Sequence, residues 1–226
     1  MRDRVTQTHL HAHGIEARLA PDPAVMAAAL FGGRIRTRAG QAPLQAISNA
    51  FAQGYAAVQF DASFGDDATL DILARELSRV VKEQRLGIVL FRAGAAPWHD
   101  DLAIYARLKQ RMLANVLLFD SLDIWDICAL IAASRIYIGS SLHGRIVAMA
   151  FARPRINVVH GDEKRQPPKQ AAFAATWEPD GIAATTTIEE VAQATSAALN
   201  LPDALLRHTA DDLVRRYRTA FATSPP

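Results

Sequence analysis

The stretch Ile136-Tyr-Ile-Gly-Ser-Ser-Leu-His-Gly-Arg145 decides the fold. Its approach, Ser134-Arg-Ile-Tyr-Ile138, has the length and apolar content of a short buried strand. Gly139-Ser140-Ser141 is a small-residue turn that ends the strand. From Leu142 to Phe151, apolar residues fall at 142, 146, 147, 149, 150 and 151, the spacing of a helix laid on a sheet. His143 and Arg145 therefore sit in the first turn of a helix that follows a strand. In open α/β sheets, ligands bind outside the carboxyl ends of the strands. The free N–H groups and positive dipole end of such a helix favour anions. Two serine hydroxyls, a guanidinium and an imidazole gathered there point to a phosphate or carboxylate.

Outward from this stretch the chain alternates. Ala56–Asp61, Gly87–Arg92 and Val116–Phe119 read as strands before it, Arg155–Val159 as the next, and Ile182–Thr186 as a sixth. Helical patterns fill 66–84, 100–113 and 124–133, the last opened by a cap in Ser121-Leu-Asp-Ile124. Thr187 is expected to cap a helix over 188–199, and Pro202 starts a final polar one. Short apolar strands separated by helices imply an α/β, doubly wound, mostly parallel Rossmann-like sheet. In its six-strand order the reversal lies between the first and fourth strands. That order sets the exit loop Asp61–Gly65 beside Gly139–His143, and so Asp61 and Ser63 beside Ser140, Ser141, His143 and Arg145. Before the first strand, 4–14 reads as a short helix broken at Ala20-Pro-Asp-Pro23. Ala24–Leu30 reads as helical, Gly32–Pro43 as a basic linker carrying Arg34, Arg36 and Arg38, and Leu44–Gln53 as a helix.

The composition excludes several classes. The chain has 226 residues, half of them hydrophobic, and a net charge of +2. So small an excess gives no global attraction to nucleic acid or membrane. Cys128 is the single cysteine, which rules out an intramolecular disulfide and fits a reducing compartment. Met1-Arg-Asp-Arg-Val leads into no apolar h-region, and no stretch reaches the roughly 20 apolar residues of a membrane span. The expectation is a cytoplasmic protein. His9 and His13 share a helix face, but no carboxylate or further histidine completes a ligand set, so no metal is expected. Gly32-Gly33 matches no P-loop or dinucleotide fingerprint.

The segment Asp123 to Ile156, with its Gly-Ser-Ser-Leu-His-Gly-Arg turn and helix followed by Pro154-Arg-Ile156, resembles the core of the polysaccharide pyruvyl transferase family. Arg2-Asp3 followed by Leu10 and Gly14-Ile15 resembles a segment late in that family's N-terminal domain, and Leu19-Ala-Pro-Asp-Pro-Ala24 resembles its hinge. The resemblance implies a GT-B-like C-terminal domain. It divides the chain into a remnant of an N-terminal domain with hinge and linker (1–43), a donor-binding domain (44–202), and a C-terminal helix and tail (203–226). It implies transfer of the enolpyruvyl group of phosphoenolpyruvate onto a sugar as a ketal, with phosphoenolpyruvate as donor substrate and no cofactor. Most of the family's first Rossmann half is expected to be missing, so a separate N-terminal half or a homo-oligomer is an expected partner. Many family members carry arginine immediately before Leu-His, where this chain has Ser141. Arg145, four positions on, is conjectured to supply that charge.

Such a donor carries a phosphate and a carboxylate, so its site needs cations and aligned N–H donors. His143 is the expected phosphate ligand or general acid/base, because imidazole titrates near neutrality unperturbed. Ser140, Ser141, the Gly144 N–H and Arg145 are expected to bind the anion. Lys164, in Gly161-Asp-Glu-Lys164, resembles a lysine that follows the fifth strand in the family. Asp61 and Ser63 are expected on the side of the saccharide acceptor. Each assignment has a structural rival: a helix-start histidine bonded to backbone, a surface arginine, serines serving as cap and turn. Two other functions are kept open. One is a nucleotide-sugar GT-B glycosyltransferase; the other is a non-catalytic remnant or partner subunit.

Overall fold

Alternate residues of the central strands point to opposite faces, and each face finds its own helices. The computed structural model describes residues 1–94, 96, 101–112, 115–160 and 168–222. Five parallel strands, β1 (Tyr55–Gln59), β2 (Gly87–Phe91), β3 (Val116–Phe119), β4 (Ile136–Gly139) and β5 (Arg155–Asn157), run in the order β3-β2-β1-β4-β5. Ala57 of β1 pairs with Val89 on one side and Tyr137 on the other. The order reverses between β1 and β4, as the sequence predicts, and places the switch point beside Gly139.

On one face Ala56, Val58, Ile88, Leu90, Ile136 and Ile138 pack under α4 (Asp67–Gln84), α5 (Leu102–Arg111) and α9 (Val191–Leu199). The α4 stripe Leu70, Leu73, Leu77 and Val80 has helical spacing and is fully buried. Asp66 starts that helix by accepting the Thr69 N–H at 2.9 Å. On the other face Tyr55, Ala57, Val89, Phe91 and Tyr137 meet α2 (Ala27–Ala39), α3 (Leu44–Ala50), α6 (Ile124–Ala133) and α7 (Leu142–Ala150). A third cluster brings Leu142, Ile146 and Met149 of α7 against Val25 and Met26, Phe173 of α8 (Lys169–Trp177) and Leu213 of α10 (Asp203–Ala222). The remaining helix, α1 (Arg4–Ala12), belongs to an N-terminal arm fixed to α8, where the Trp177 indole donates to the Arg2 carbonyl. Among the described residues, no helix is long and apolar enough to cross a membrane.

Three expectations are corrected. The basic stretch after Gly32-Gly33 belongs to helix α2. Each glycine costs a helix about 1 kcal/mol against alanine, but Ile35 is buried and Arg38 pairs with Asp126 of α6, and these tertiary contacts prevail. The sixth strand shrinks to a single parallel bridge between Val158 and Thr186. The carbonyls of Ala183 and Ala184 are turned to the Arg145 guanidinium instead of a strand ladder. Thr187 starts a 3₁₀ turn over Ile188–Glu190, ahead of α9, without a side-chain cap bond. The start of α6 is capped by Asp123, which accepts the Trp125 N–H at 2.8 Å, while Ser121 donates to Asp126.

Candidate active site

Strand β4 delivers the chain to the switch point. A Cβ on Gly139 would lie 2.3 Å from the Gln59 carbonyl oxygen of β1, so the two strands approach closely there. Ser141 caps α7, its Oγ accepting the Gly144 N–H at 3.3 Å. Gly144 lets the helix settle on Tyr137, whose ring atoms would stand 2.4 Å from an added Cβ. The buried Tyr137 hydroxyl lies 3.2 Å from both Gln59 Oε1 and the Ser141 carbonyl, and burial pushes its titration well above the usual range. Gln59 Oε1 also accepts the Ser141 N–H at 3.0 Å. A small buried network thus fixes the first turn of α7.

From that turn His143 projects outward, with two thirds of its side chain exposed and Nε2 3.6 Å from Asp22 Oδ2. Asp22 caps the 3₁₀ turn Pro23–Met26 by accepting the Ala24 N–H at 3.0 Å. The neighbouring imidazole holds its carboxyl below the usual range, against the opposing effect of burial. His143, Ser141 and Gly144 line a cleft of about 300 Å³ with Arg2 and Lys169. Ile124, Ile127, Ile131 and Val147 form its apolar wall. The volume is at the lower end of small-molecule pockets. Two cations, an imidazole and a helix start on one side suit a small anion.

The other predicted residues are distributed differently. Ser140 is buried, and its Oγ accepts the Asp61 N–H at 3.0 Å, tying the two exit loops together across the switch point. Asp61 accepts from the Ser63 N–H at 3.0 Å and from the Ser63 hydroxyl at 2.5 Å. Ser63 Oγ lies 3.2 Å from His160 Nε2, and that ring stacks on Phe64 at 4.0 Å. Asp61 and Ser63 are thus beside Ser140, as expected, but outside the lining of the His143 cleft. Lys164 lies outside the described residues.

Arg145 is the main correction. Its side chain is fully buried and turned away from the cleft. Nε donates to Glu178 Oε1 at 2.6 Å, and the two terminal nitrogens reach Asn157 and the carbonyls of Ala183 and Ala184. Arg155 takes the second Glu178 oxygen at 2.6 Å. Burial alone would raise the Glu178 carboxyl, but the two guanidiniums outweigh it and hold the group ionised. A charge spent in this way is not offered to a ligand, so it does not replace the arginine missing before Leu142. The Gly144 N–H is likewise engaged, by its own cap.

Sequence reasoning missed Asp22, Gln59, Arg2 and Lys169. A signal existed for Gln59, a polar residue ending the apolar run Tyr55-Ala-Ala-Val-Gln59 at the carboxyl edge. Asp22 and Arg2 stand in motifs already quoted, yet nothing local shows that they reach α7. Lys169 reads as a solvated loop residue until α8 is seen to start there.

A family model described as Polysaccharide pyruvyl transferase matches residues 1–162. No curated relative matches the chain. Among solved structures it is similar to an S. aureus MnaA–UDP co-structure, with a TM-score of 0.62 and 12% identity over 100% of this chain and 60% of that one. It is also similar to the Methanocaldococcus jannaschii UDP-GlcNAc 2-epimerase in complex with UDP-GlcNAc and UDP, with a TM-score of 0.59 and 11% identity over 95% and 59%. A UDP-forming α,α-trehalose-phosphate synthase from Burkholderia xenovorans gives a TM-score of 0.54 and 15% identity over 91% and 48%. At these identities the likeness shows a GT-B-like, Rossmann-type fold. The chain spans about 60% or less of the length of these structures.

Proposed function

Because the chain belongs to the polysaccharide pyruvyl transferase family, we propose that its cleft at the start of α7 binds phosphoenolpyruvate and serves the transfer of the enolpyruvyl carbon to a saccharide. The observation that carries this is the placement of His143. It is held on a capped helix turn, exposed to the cleft, with Asp22 behind it and Arg2 and Lys169 beside it. Arg2 and Lys169 supply the positive charge that phosphate and carboxylate require. The apolar wall suits the methylene end of the donor.

In the reaction the methylene carbon of the donor takes a proton and the neighbouring carbon becomes oxocarbenium-like. One sugar hydroxyl attacks that carbon, the C–O bond to phosphate breaks with its electron pair, and a second sugar hydroxyl closes the ketal. Of the two hydroxyl protons released, one balances the proton taken by carbon and the other leaves with phosphate. His143 reaches the cleft as the group that moves these protons or grips the leaving phosphate. We assign the acceptor hydroxyl to Asp61 and Ser63, on the β1 side of the switch point, and to His160, which follows β5 and meets Ser63.

Calorimetric titration of the chain with phosphoenolpyruvate, alongside the His143→Ala protein, tests the proposal. Saturable binding that weakens on the order of tenfold or more in the variant is expected, the value of one charge-assisted hydrogen bond. Saturable binding of uridine diphosphate, with no phosphoenolpyruvate binding, would make this a nucleotide-sugar site. Binding of neither by the folded chain would leave a non-catalytic subunit.

A further inference from the structure

A second cleft, of about 520 Å³, lies between the N-terminal arm, the end of α8 and α10. Arg4, Arg18, Arg215 and Arg216 line it together with the Trp177 ring, and Asp212 is the acidic residue of its lining. None of these residues belongs to the His143 cleft. Asp212 accepts Arg215 Nη2 with one oxygen and Arg216 Nε with the other, both at 2.5 Å. One carboxylate therefore holds two guanidiniums side by side, while their side chains stay 64% and 57% exposed. Arg18 donates to the Ala220 carbonyl at 3.1 Å and fastens the arm to the last turn of α10. The Trp177 indole N–H donates to the Arg2 carbonyl at 2.5 Å, which pins the ring at the edge of the cleft.

Among the described residues of the lining, Arg4, Arg215 and Arg216 outnumber the Asp212 carboxylate, and their planar forks match carboxylate and phosphate oxygens. The aromatic ring beside them offers the flat apolar surface on which the C–H face of a sugar rests. The same two elements contribute to both clefts. Lys169, at the start of α8, lines the first and Trp177, at its end, lines the second, roughly 12 Å away at 1.5 Å per residue. Arg2 and Arg4 repeat the connection along the arm.

We propose that this arginine cleft binds an acidic saccharide, a sugar chain bearing carboxylate or phosphate, and holds it along α8 toward the His143 cleft. The choice of a saccharide rests on the function proposed above; the anion site rests on the geometry alone.

The test is calorimetric titration of the whole chain with oligogalacturonate as the acidic probe, a neutral malto-oligosaccharide, and inorganic phosphate. Saturable oligogalacturonate binding is expected, weakened by salt. An Arg215→Ala, Arg216→Ala double variant should lose on the order of tenfold or more per guanidinium, whereas His143→Ala should bind it unchanged. Arg4→Gln, on the exposed arm, provides a second variant with the same expected direction should the double one fail to fold. Equal binding of the neutral oligosaccharide would overturn the proposal, as would undiminished affinity in the arginine variants or no binding at all. Phosphate binding that displaces the oligosaccharide with equal or greater affinity would overturn its saccharide part. Phosphoenolpyruvate titration reads the other cleft, so failure there with oligogalacturonate binding intact removes the donor assignment and leaves this one standing.

Discussion

Arg145 shows how far one side chain can depart from its apparent role. By count it shares a helix face with Ser141, four positions away, and its charge suits an anion site. In the fold it runs inward beneath the sheet edge to Glu178, 33 positions later, and shares that carboxylate with Arg155. No local pattern announces a partner so distant. His143, two positions earlier, projects as the local pattern requires, because a capped first turn leaves its outer positions in solvent. The two residues therefore predict different experimental signatures. Arg145→Ala leaves the buried Glu178 with one guanidinium and removes the donor to the Ala183 and Ala184 carbonyls, so it should destabilise the protein by about 3–5 kcal/mol. Urea unfolding followed by circular dichroism measures this. A folded variant should keep its phosphoenolpyruvate affinity within a small factor. Unchanged stability with lost affinity would return Arg145 to the anion site.

At the scale of elements, what the sequence makes legible is what periodicity and punctuation encode. β1 to β5 stand out as short apolar runs, and their order follows from the alternation with helices and from the position of the reversal. The helix status of Gly32–Ala39 is hidden, because local preference opposes it and contacts with α6 decide it. The strand at 182–186 fails for the converse reason: its pattern is adequate, but Arg145 claims its carbonyls. The junction of β4 and α7 is the best-determined element, since capping, close approach and buried hydrogen bonds agree there. It is also the least tolerant. Gly144→Ala places a methyl group against Tyr137, whose hydroxyl is held between Gln59 and Ser141 and has no room to retreat. The substitution should cost about 1–3 kcal/mol, as overpacking does, although alanine is the better helix former. A lower urea midpoint at constant slope is the expected result. A gain in stability would show that α7 can lift from β4, and the turn that presents His143 would then be less rigid than described.

At the scale of the molecule, both clefts depend on the way the two ends of the chain return to α7. The arm carries Arg2 and Arg4, α8 carries Lys169 and Trp177, and α10 carries the paired arginines. α8 and α10 meet α7 and the turn that follows the arm through the cluster of Val25, Met26, Leu142, Ile146, Met149, Phe173 and Leu213, and the arm is tied to α8 by the Trp177–Arg2 bond. That cluster lies apart from the two sheet-facing cores, so its coupling to them decides whether the chain unfolds as one body. Leu142 opens α7 directly after the Ser141 cap, and Ile146 and Met149 lie on the helix that Gly144 seats on β4. Loosening the cluster must therefore loosen the sheet edge. Phe173 is fully buried at its centre, and Phe173→Ala should cost about 3–5 kcal/mol through lost burial and the cavity left behind. Tryptophan fluorescence, which includes Trp177 beside the second cleft, and far-ultraviolet circular dichroism, which reports the helices and sheet, should shift together to lower urea. A fluorescence transition that runs ahead of the circular dichroism would separate the arm and α10 from the sheet. The arginine cleft would then open independently of the His143 cleft, and α8 would no longer hold a saccharide in register between them.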